Sequence, residues 1–449
     1  MPPATAGSPG LARRIGAFDA TMIVMGGIIG SGIFANPREV ARELPWPSLM
    51  LAAWTVGGVM ALLGALVYAE LAARRPGVGG QYAYLRDAFH PLAAFLYGWV
   101  LLLVVQTGGM AATALIFARY TGRLVGLEAP EWVLGMAALL VLTVINALGV
   151  ALGTRVQSIL MVLKIGAILA LVFCGLLLVP PAASAPGAVP PPHAGLPLLF
   201  AFGAALAPVL FAYGGWQTSS FLGGELRDPQ RDLPRALLLG VGGVILLYLG
   251  VNWVCVRALG GPGLAQTLAP ASAVMQRALG PRGARLIEAG IAVSTLGFLS
   301  QSMLTAPRVY YAMAEDGVFF RGVGRIHPRT RVPVVAIALQ GAFAMLMTAW
   351  GQYRQILDYM IAVDFVFFGL TACCLFVFRR RGDGGASGGF RTPGHPWTTG
   401  AFVAGCWLFV LNLVAQRPRE TLVGMAILLT GVPAYAFWRA RERRAVSAP

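Results

Sequence analysis

The chain has 449 residues, 57% of them hydrophobic and only 12% charged, with a formal net charge of +16. A soluble domain carries about twice that charged fraction, so the composition excludes an ordinary soluble protein and points to a polytopic membrane protein. The basic set is one lysine and 33 arginines, scattered among loops rather than striped on a soluble domain, which argues against a nucleic-acid interface.

Twelve membrane helices are predicted, at roughly 18–42, 47–73, 89–119, 131–149, 154–179, 195–222, 235–259, 284–314, 332–350, 355–378, 398–416 and 419–438. Residues 1–17 lack an apolar core, so no cleavable leader is expected and they form a cytoplasmic segment. With that end inside, cytoplasmic segments hold 22 arginines and outer segments 11. The bias predicts both termini inside a cell (inner) membrane, with residues 439–449 as a cytoplasmic tail.

The first span, DATMIVMGGIIGSGIFANP from Asp19 to Pro37, holds Gly26, Gly27, Gly30 and Gly32 within seven residues. Each costs a helix about 1 kcal/mol relative to alanine, which predicts an unwound centre. Bare backbone at membrane depth is tolerated only where protein buries it or it lines a cavity. The freed N–H groups of Gly30, Ser31 and Gly32 would then suit an anion, and the carbonyls ending the first half a cation. Small residues also allow close helix packing, and that reading stays open for this stretch alone.

Further along, the 74–90 loop is a short helix lying on the membrane, a gate element, or a plain solvated loop. Segment 180–197 is Pro-rich and uncharged, a stiff outer loop. Segment 381–397 is Gly-rich, a flexible inner connection. Residues 200–225, FAFGAALAPVLFAYGGWQTSSFLGGE, repeat the first span's feature, with Gly214-Gly215 breaking the sixth span. Two broken helices five spans apart are the mark of an inverted-repeat transporter with a site at the midplane. The ten-helix core is expected at 18–378, its repeats at 18–179 and 195–378, with two further helices at 398–438.

Five cysteines (Cys174, Cys255, Cys373, Cys374, Cys406) lie in apolar segments without metal-ligand spacing, and the four histidines are far apart. Neither a metal site, a cofactor nor a catalytic constellation is indicated.

GIIGSGIF at 27–34, FAYGGWQ at 211–217 followed by GELRDPQRDLPRA at 224–236, and Lys164 within QSILMVLKIGAIL together resemble the amino acid–polyamine–organocation superfamily, and within it the L-type amino acid transporter family. The resemblance covers about residues 15–440. It implies an all-α LeuT-type 5+5 inverted repeat with helices 1 and 6 broken. It implies carboxylate binding by the amides of Ser31 and Gly32 beside Gly30, and amino-group binding by carbonyls of Ile28, Phe211, Ala212 and Gly214. Phe211 matches the family's aromatic gate. The side-chain pocket is expected to include Val105, Gly109, Thr113, Gln217 and Thr218, with residues near Ala362 and Phe365. Animal members carry a cysteine between helices 3 and 4 that ties them to a glycoprotein subunit. Thr121–Pro130 has none, so no covalent heavy subunit is expected.

Lys164, the only lysine, lies roughly 15 Å into the fifth span. An ammonium there costs at least about 2.5–3.5 kcal/mol unless it finds partners. It either glues helices through backbone carbonyls or, by the resemblance, replaces the sodium ion that related proteins hold between helices 1, 5 and 8, near hydroxyls such as Ser300 or Ser302. A third version releases a proton during the cycle. Glu70 and Glu225 are expected to be solvated or paired with arginine in a cytoplasmic gate. Arg308 is expected to snorkel. Asp364, an intramembrane acid, is either functional or a helix–helix hydrogen bond. Trp46, Trp54, Trp99, Trp132, Trp350 and Trp397 read as an interfacial belt, and Trp216 as packed under the site.

The expected function is sodium-independent exchange of neutral amino acids. A proton-coupled importer and a membrane-embedded amino acid sensor are the alternatives. A neutral substrate is expected because the pocket positions offer no acid to pair with a cationic side chain.

Overall fold

The computed structural model describes residue 11 and residues 13–182, 196–350, 353–382 and 389–446. Among them every regular element is a helix, apart from one isolated parallel bridge between Ile15 and Leu226. The first span divides into α1 (Ala17–Ile28) and α2 (Gly32–Glu43). Then come α3 (Pro47–Arg74), the short α4 (Gln81–Ala88), and α5 (Pro91–Val100), which passes through a π turn at Leu101–Val105 into α6 (Gln106–Val125). α7 (Glu131–Ala147) and α8 (Val150–Leu178) follow. α9 (Leu196–Tyr213) continues after a break as a 3-10 helix at Trp216–Glu225. The remainder are α10 (Pro229–Gln266), α11 (Pro270–Thr305), α12 (Pro307–Glu315), α13 (Val334–Trp350), α14 (Tyr353–Arg381), α15 (Trp397–Gln416), α16 (Pro418–Leu429) and α17 (Gly431–Val446).

Ten of the described helical stretches are long and apolar enough to cross a membrane, which makes this a multi-pass membrane protein. Two further apolar helices, α7 and α13, have 17 residues each. At 1.5 Å per residue they reach about 25 Å, short of a hydrocarbon core of about 30 Å. They occupy the positions of the fourth and ninth predicted spans.

The helices pack in two sets. α1, α2, α3, α9 and α10 contact one another, while α6, α7, α8, α11 and α13 form the second set. The sets pack directly on each other, α8 and α11 against α1 and α10, and α14 touches both through α3 and α6.

Several loop expectations change. The 74–90 segment contains a helix, and α4 buries Gln81 to Leu85 instead of lying solvated. Residues 183–195 of the Pro-rich segment and 383–388 of the Gly-rich one lie outside the described residues. The second half of the Gly-rich connection is anchored rather than flexible: Thr392 donates its N–H to Glu70 (2.7 Å) and its hydroxyl to the Leu66 carbonyl (3.0 Å). α17 runs on to Val446, so helix extends into the expected tail. Trp54 is fully buried seven residues into α3, edge-on to Tyr213 and Tyr248 at 5.8 Å, and leaves the interfacial belt. Its ring fills a gap between helices that a residue at the headgroups would not reach.

Candidate functional site

The first break is narrower than its glycines suggest. α1 stays helical through Ile28, Ile29 turns out of the helix (φ −75°, ψ 96°), and Ser31 leads into α2 at Gly32. Gly26 and Gly27 remain helical and serve packing. A Cβ on Gly26 would collide with the Gln157 amide, and one on Gly27 would sit 2.6 Å from the Gly215 carbonyl oxygen. Gly30 and Gly32 serve the break. A Cβ on Gly32 would lie 3.1 Å from the Ala212 Cα. Both readings of the stretch therefore hold, each for two glycines.

The second break has a different local cause. Gly215 takes φ +104°, a region in which side chains are strained. The Gln217 side-chain oxygen accepts its N–H at 3.0 Å. Beyond it the hydroxyls of Thr218, Ser219 and Ser220 each donate to the carbonyl three residues back, at 2.7, 2.9 and 2.7 Å. That run of back-bonding accompanies the tighter 3-10 winding of Trp216–Glu225. The two breaks cross backbone to backbone, Gly27 against Gly215.

One cavity lies where they meet. Ile28, Gly30, Ser31 and Gly32 line it from the first break, and Phe211, Ala212, Gly214, Gln217 and Thr218 from the second. Val105, Gly109 and Thr113 line it from the π turn and α6. All twelve residues predicted for substrate thus surround one space. α14 adds Phe365 as expected, together with Ile361, Asp364 and Phe368. Ala362 is buried elsewhere. About 80 Å³ is open to the centre of a water molecule, more than a single ordered water needs.

The wall's electrostatics come from backbone. α2 starts at Gly32 without a side-chain cap, so its first N–H groups and its positive dipole end have no capping side chain at the break. On the other wall, carbonyls are partly taken. Tyr248 directs its hydroxyl between the carbonyls of Ile28 (3.0 Å) and Ala212 (3.2 Å), two of the four expected to hold an amino group. Each carbonyl oxygen has two lone pairs and keeps capacity for a second donor.

Lys164 is fully buried and donates to the carbonyls of Gly26 (3.3 Å) and Ile29. The α11 hydroxyls do not share this work as expected. The hydroxyls of Ser300 and Ser302 have no hydrogen-bond partner among the described residues, though Ser302 lines the cavity. The α11 residue against the ammonium is Gly297, where an added Cβ would lie 3.3 Å from Nζ. Ser302 is five residues on, roughly 140° round the helix. The hydroxyl that reaches the break is Ser294, on the same face as Gly297, donating to the Gly30 carbonyl at 3.1 Å.

Gln301 escaped the sequence reading. It lines the cavity and donates to the Thr218 hydroxyl at 2.6 Å, joining α11 to the second break. Tyr248, Ser294, Phe298 and Gln301 sit in ordinary apolar spans, and no spacing marks them. One premise is corrected outright: the cavity does contain an acid, Asp364. It lies on one α14 stripe with Ile361, Phe365 and Phe368, a spacing of i, i+3, i+4 and i+7. Trp216 packs behind the site, against Tyr68 (4.8 Å) and Phe368 (5.6 Å).

Glu70 and Glu225 are both fully buried and paired. Glu70 meets Arg74 (2.8 Å) and Arg379 (2.6 Å), and Glu225 meets Arg308 (2.6 Å). Arg308 does not snorkel: it is fully buried, with Nε and Nη2 donating to that carboxylate and Nη1 left without a partner among the described residues.

A family model described as amino acid permease matches residues 15–432. The serine/threonine exchanger SteT of Bacillus subtilis (strain 168) is 30% identical, over 96% of this chain and 98% of its own. The human large neutral amino acids transporter small subunit 2 is 29% identical, over 98% and 84%. The human b(0,+)-type amino acid transporter 1 is 31% identical, over 82% and 76%. With two helix breaks crossing at one cavity and a match over nearly its whole length, the chain belongs to the amino acid permease family of the amino acid–polyamine–organocation superfamily, among the L-type transporters, which are transporters and not enzymes.

Proposed function

We propose that the protein is a sodium-independent exchanger of neutral L-amino acids that works by alternating access. The observation carrying this reading is the uncapped start of α2 facing helix-end carbonyls across one small cavity. An α-amino acid bears a carboxylate and an ammonium one carbon apart. The carboxylate would take the N–H groups of Gly30, Ser31 and Gly32. The ammonium would take the carbonyls of Ile28, Phe211, Ala212 and Gly214. Phe211 would close over the substrate, and Val105, Gly109, Thr113, Gln217 and Thr218 would meet its side chain. The serine/threonine exchanger among the relatives, with the modest volume, favours small neutral residues.

Lys164 takes the place of a coupling sodium ion in this proposal. Its ammonium neutralises the carbonyl ends of the first break and ties that break to α8. The chain would span the cell membrane twelve times with both termini inside, α7 and α13 fitting by local thinning of the bilayer. Its core would be two inverted five-helix repeats, 18–179 and 195–378. The set α1, α2, α3, α9 and α10 would swing against the other. With no cysteine in Thr121–Pro130, it would work without a covalent heavy subunit.

The test is uptake of labelled serine or alanine by the purified protein in proteoliposomes. Uptake is expected to rise at least tenfold with internal amino acid, and to ignore both sodium and an imposed pH gradient. Uptake into empty vesicles driven by an inward proton gradient would replace this reading with a proton-coupled importer. Strict sodium dependence would remove the role given to Lys164.

A further inference from the structure

Among the described residues Asp364 is the only acid lining the cavity, and no basic side chain lines it. Its neighbours on the α14 stripe are apolar: Ile361, then Phe365 and Phe368, whose rings pack together at 5.3 Å. Phe365 is held by Phe409 (4.5 Å) and Phe368 by Trp216 (5.6 Å), so this wall is rigid. Lys164 is turned to the carbonyls of Gly26 and Ile29. Among the described residues Asp364 makes no hydrogen bond or ion pair, whereas Glu70 and Glu225 are each met by arginine. A carboxyl at membrane depth with apolar neighbours is costly unless something cationic or hydrogen-bonding arrives to meet it.

We propose that Asp364 is a side-chain subsite that receives a second ammonium carried by the substrate, so that short diamino acids are transported alongside neutral ones. This rests on the reading that the two breaks hold the main-chain carboxylate and ammonium. The cavity is small, with about 80 Å³ open to the centre of a water molecule. A substrate whose main chain is held at the two breaks has only the remainder of that space for its side chain. That favours the short side chains of 2,3-diaminopropionate and 2,4-diaminobutyrate over those of lysine or arginine. The same carboxylate repels the side chains of aspartate and glutamate.

The experiment uses proteoliposomes of the full chain loaded with alanine. Uptake of labelled alanine is measured against 2,4-diaminobutyrate and against 2-aminobutyrate, which lacks only the second amine. Uptake of labelled 2,4-diaminobutyrate is measured directly on the unmutated protein, which keeps the test free of any folding defect. The unmutated protein is expected to exchange labelled diaminobutyrate for internal alanine. In Asp364→Asn the ratio of half-inhibitory concentrations, diaminobutyrate to aminobutyrate, is expected to rise at least tenfold. Exclusion of diaminobutyrate by the unmutated protein, or an unchanged ratio in the variant, overturns the subsite. Failure to exchange alanine at all overturns the underlying reading instead, so the two failures are distinguishable.

Discussion

At the scale of single residues, the site depends on where a Cβ is missing and where an ammonium is present. Gly32 is the sharper case of the first: its Cβ would lie 3.1 Å from the Ala212 Cα and 3.3 Å from the Asn36 amide nitrogen. Asn36 is itself fixed to the Pro208 carbonyl at 2.6 Å and cannot yield freely. Gly32→Val, with a branched side chain, is therefore expected to cut uptake more than tenfold while the protein still elutes as a folded species in detergent. Near-normal uptake would mean the carboxylate cradle is misplaced. Lys164→Met keeps the length of the side chain and removes its charge, leaving the Gly26 and Ile29 carbonyls without their donor. Slowing of exchange by at least tenfold is expected, and an unimpaired rate in matched proteoliposomes would reduce the lysine to a helix fastener. Both residues were legible in the sequence, because a glycine cluster and a solitary lysine are conspicuous in an apolar span. Asp364 was seen as an acid but not as a wall of the cavity, because that depends on the phase of α14 against α6 and the breaks. Ser294 and Gln301 were invisible, since a serine or glutamine in a membrane helix acquires meaning only from what packs opposite.

At the scale of elements, the two broken helices were readable and the reason for their close approach was not. The glycines told where the chain unwinds. That Gly27 and Gly215 touch required the crossing of α1 with the second break. The 3-10 winding of Trp216–Glu225 was missed, although Thr218, Ser219 and Ser220 in a row supplied a physical signal for it. The contact also sets the cost of substitution. Gly215→Ala forces a side chain into a left-handed conformation worth about 1–2 kcal/mol and presses it against the Gly27 carbonyl. Gly166 offers the control: it is exposed on α8, with nothing within 4 Å of an added Cβ. There alanine gains about 1 kcal/mol of helix propensity. Thermal unfolding in detergent is expected to fall for Gly215→Ala and to hold or rise for Gly166→Ala. The same direction in both would show that the crossing of the breaks is not under steric control.

At the scale of the whole molecule, the span order came through from hydropathy, and the fastening of one end did not. Its ties join residues far apart in the chain. Glu70 meets Arg379 across 309 positions and Arg86 meets Asp316 across 230. The N–H groups of Arg14 and Ile15 both reach the Glu225 carbonyl at 3.0 Å. Helix α4, the 3-10 helix and α12 contact one another here. At the opposite end the ion pairs among the described residues, Arg38–Glu39, Arg42–Glu39 and Arg119–Glu131, join residues at most 12 apart. If access alternates as proposed, this more heavily tied end is one that must open and close, and the ties differ in what they control. Breaking the fully buried Glu225–Arg308 pair would strand a charge, at a cost of about 3–5 kcal/mol, and threatens the fold itself. Asp316 is different: with Arg86 at 2.6 Å and Tyr82 at 2.8 Å it is roughly a third exposed, and solvent holds such a pair to about 0–1 kcal/mol. One kcal/mol moves a two-state equilibrium about fivefold. It does so where apparent affinity scales with the fraction of molecules open to that side. Asp316→Asn is therefore expected to lower the KM for amino acid offered at the N-terminal face by up to about fivefold. The KM at the opposite face should barely move, because the majority state loses little of its population. Initial rates in vesicles of known sidedness give both constants, and an unchanged ratio between them would show that this carboxylate fastens the structure without governing access.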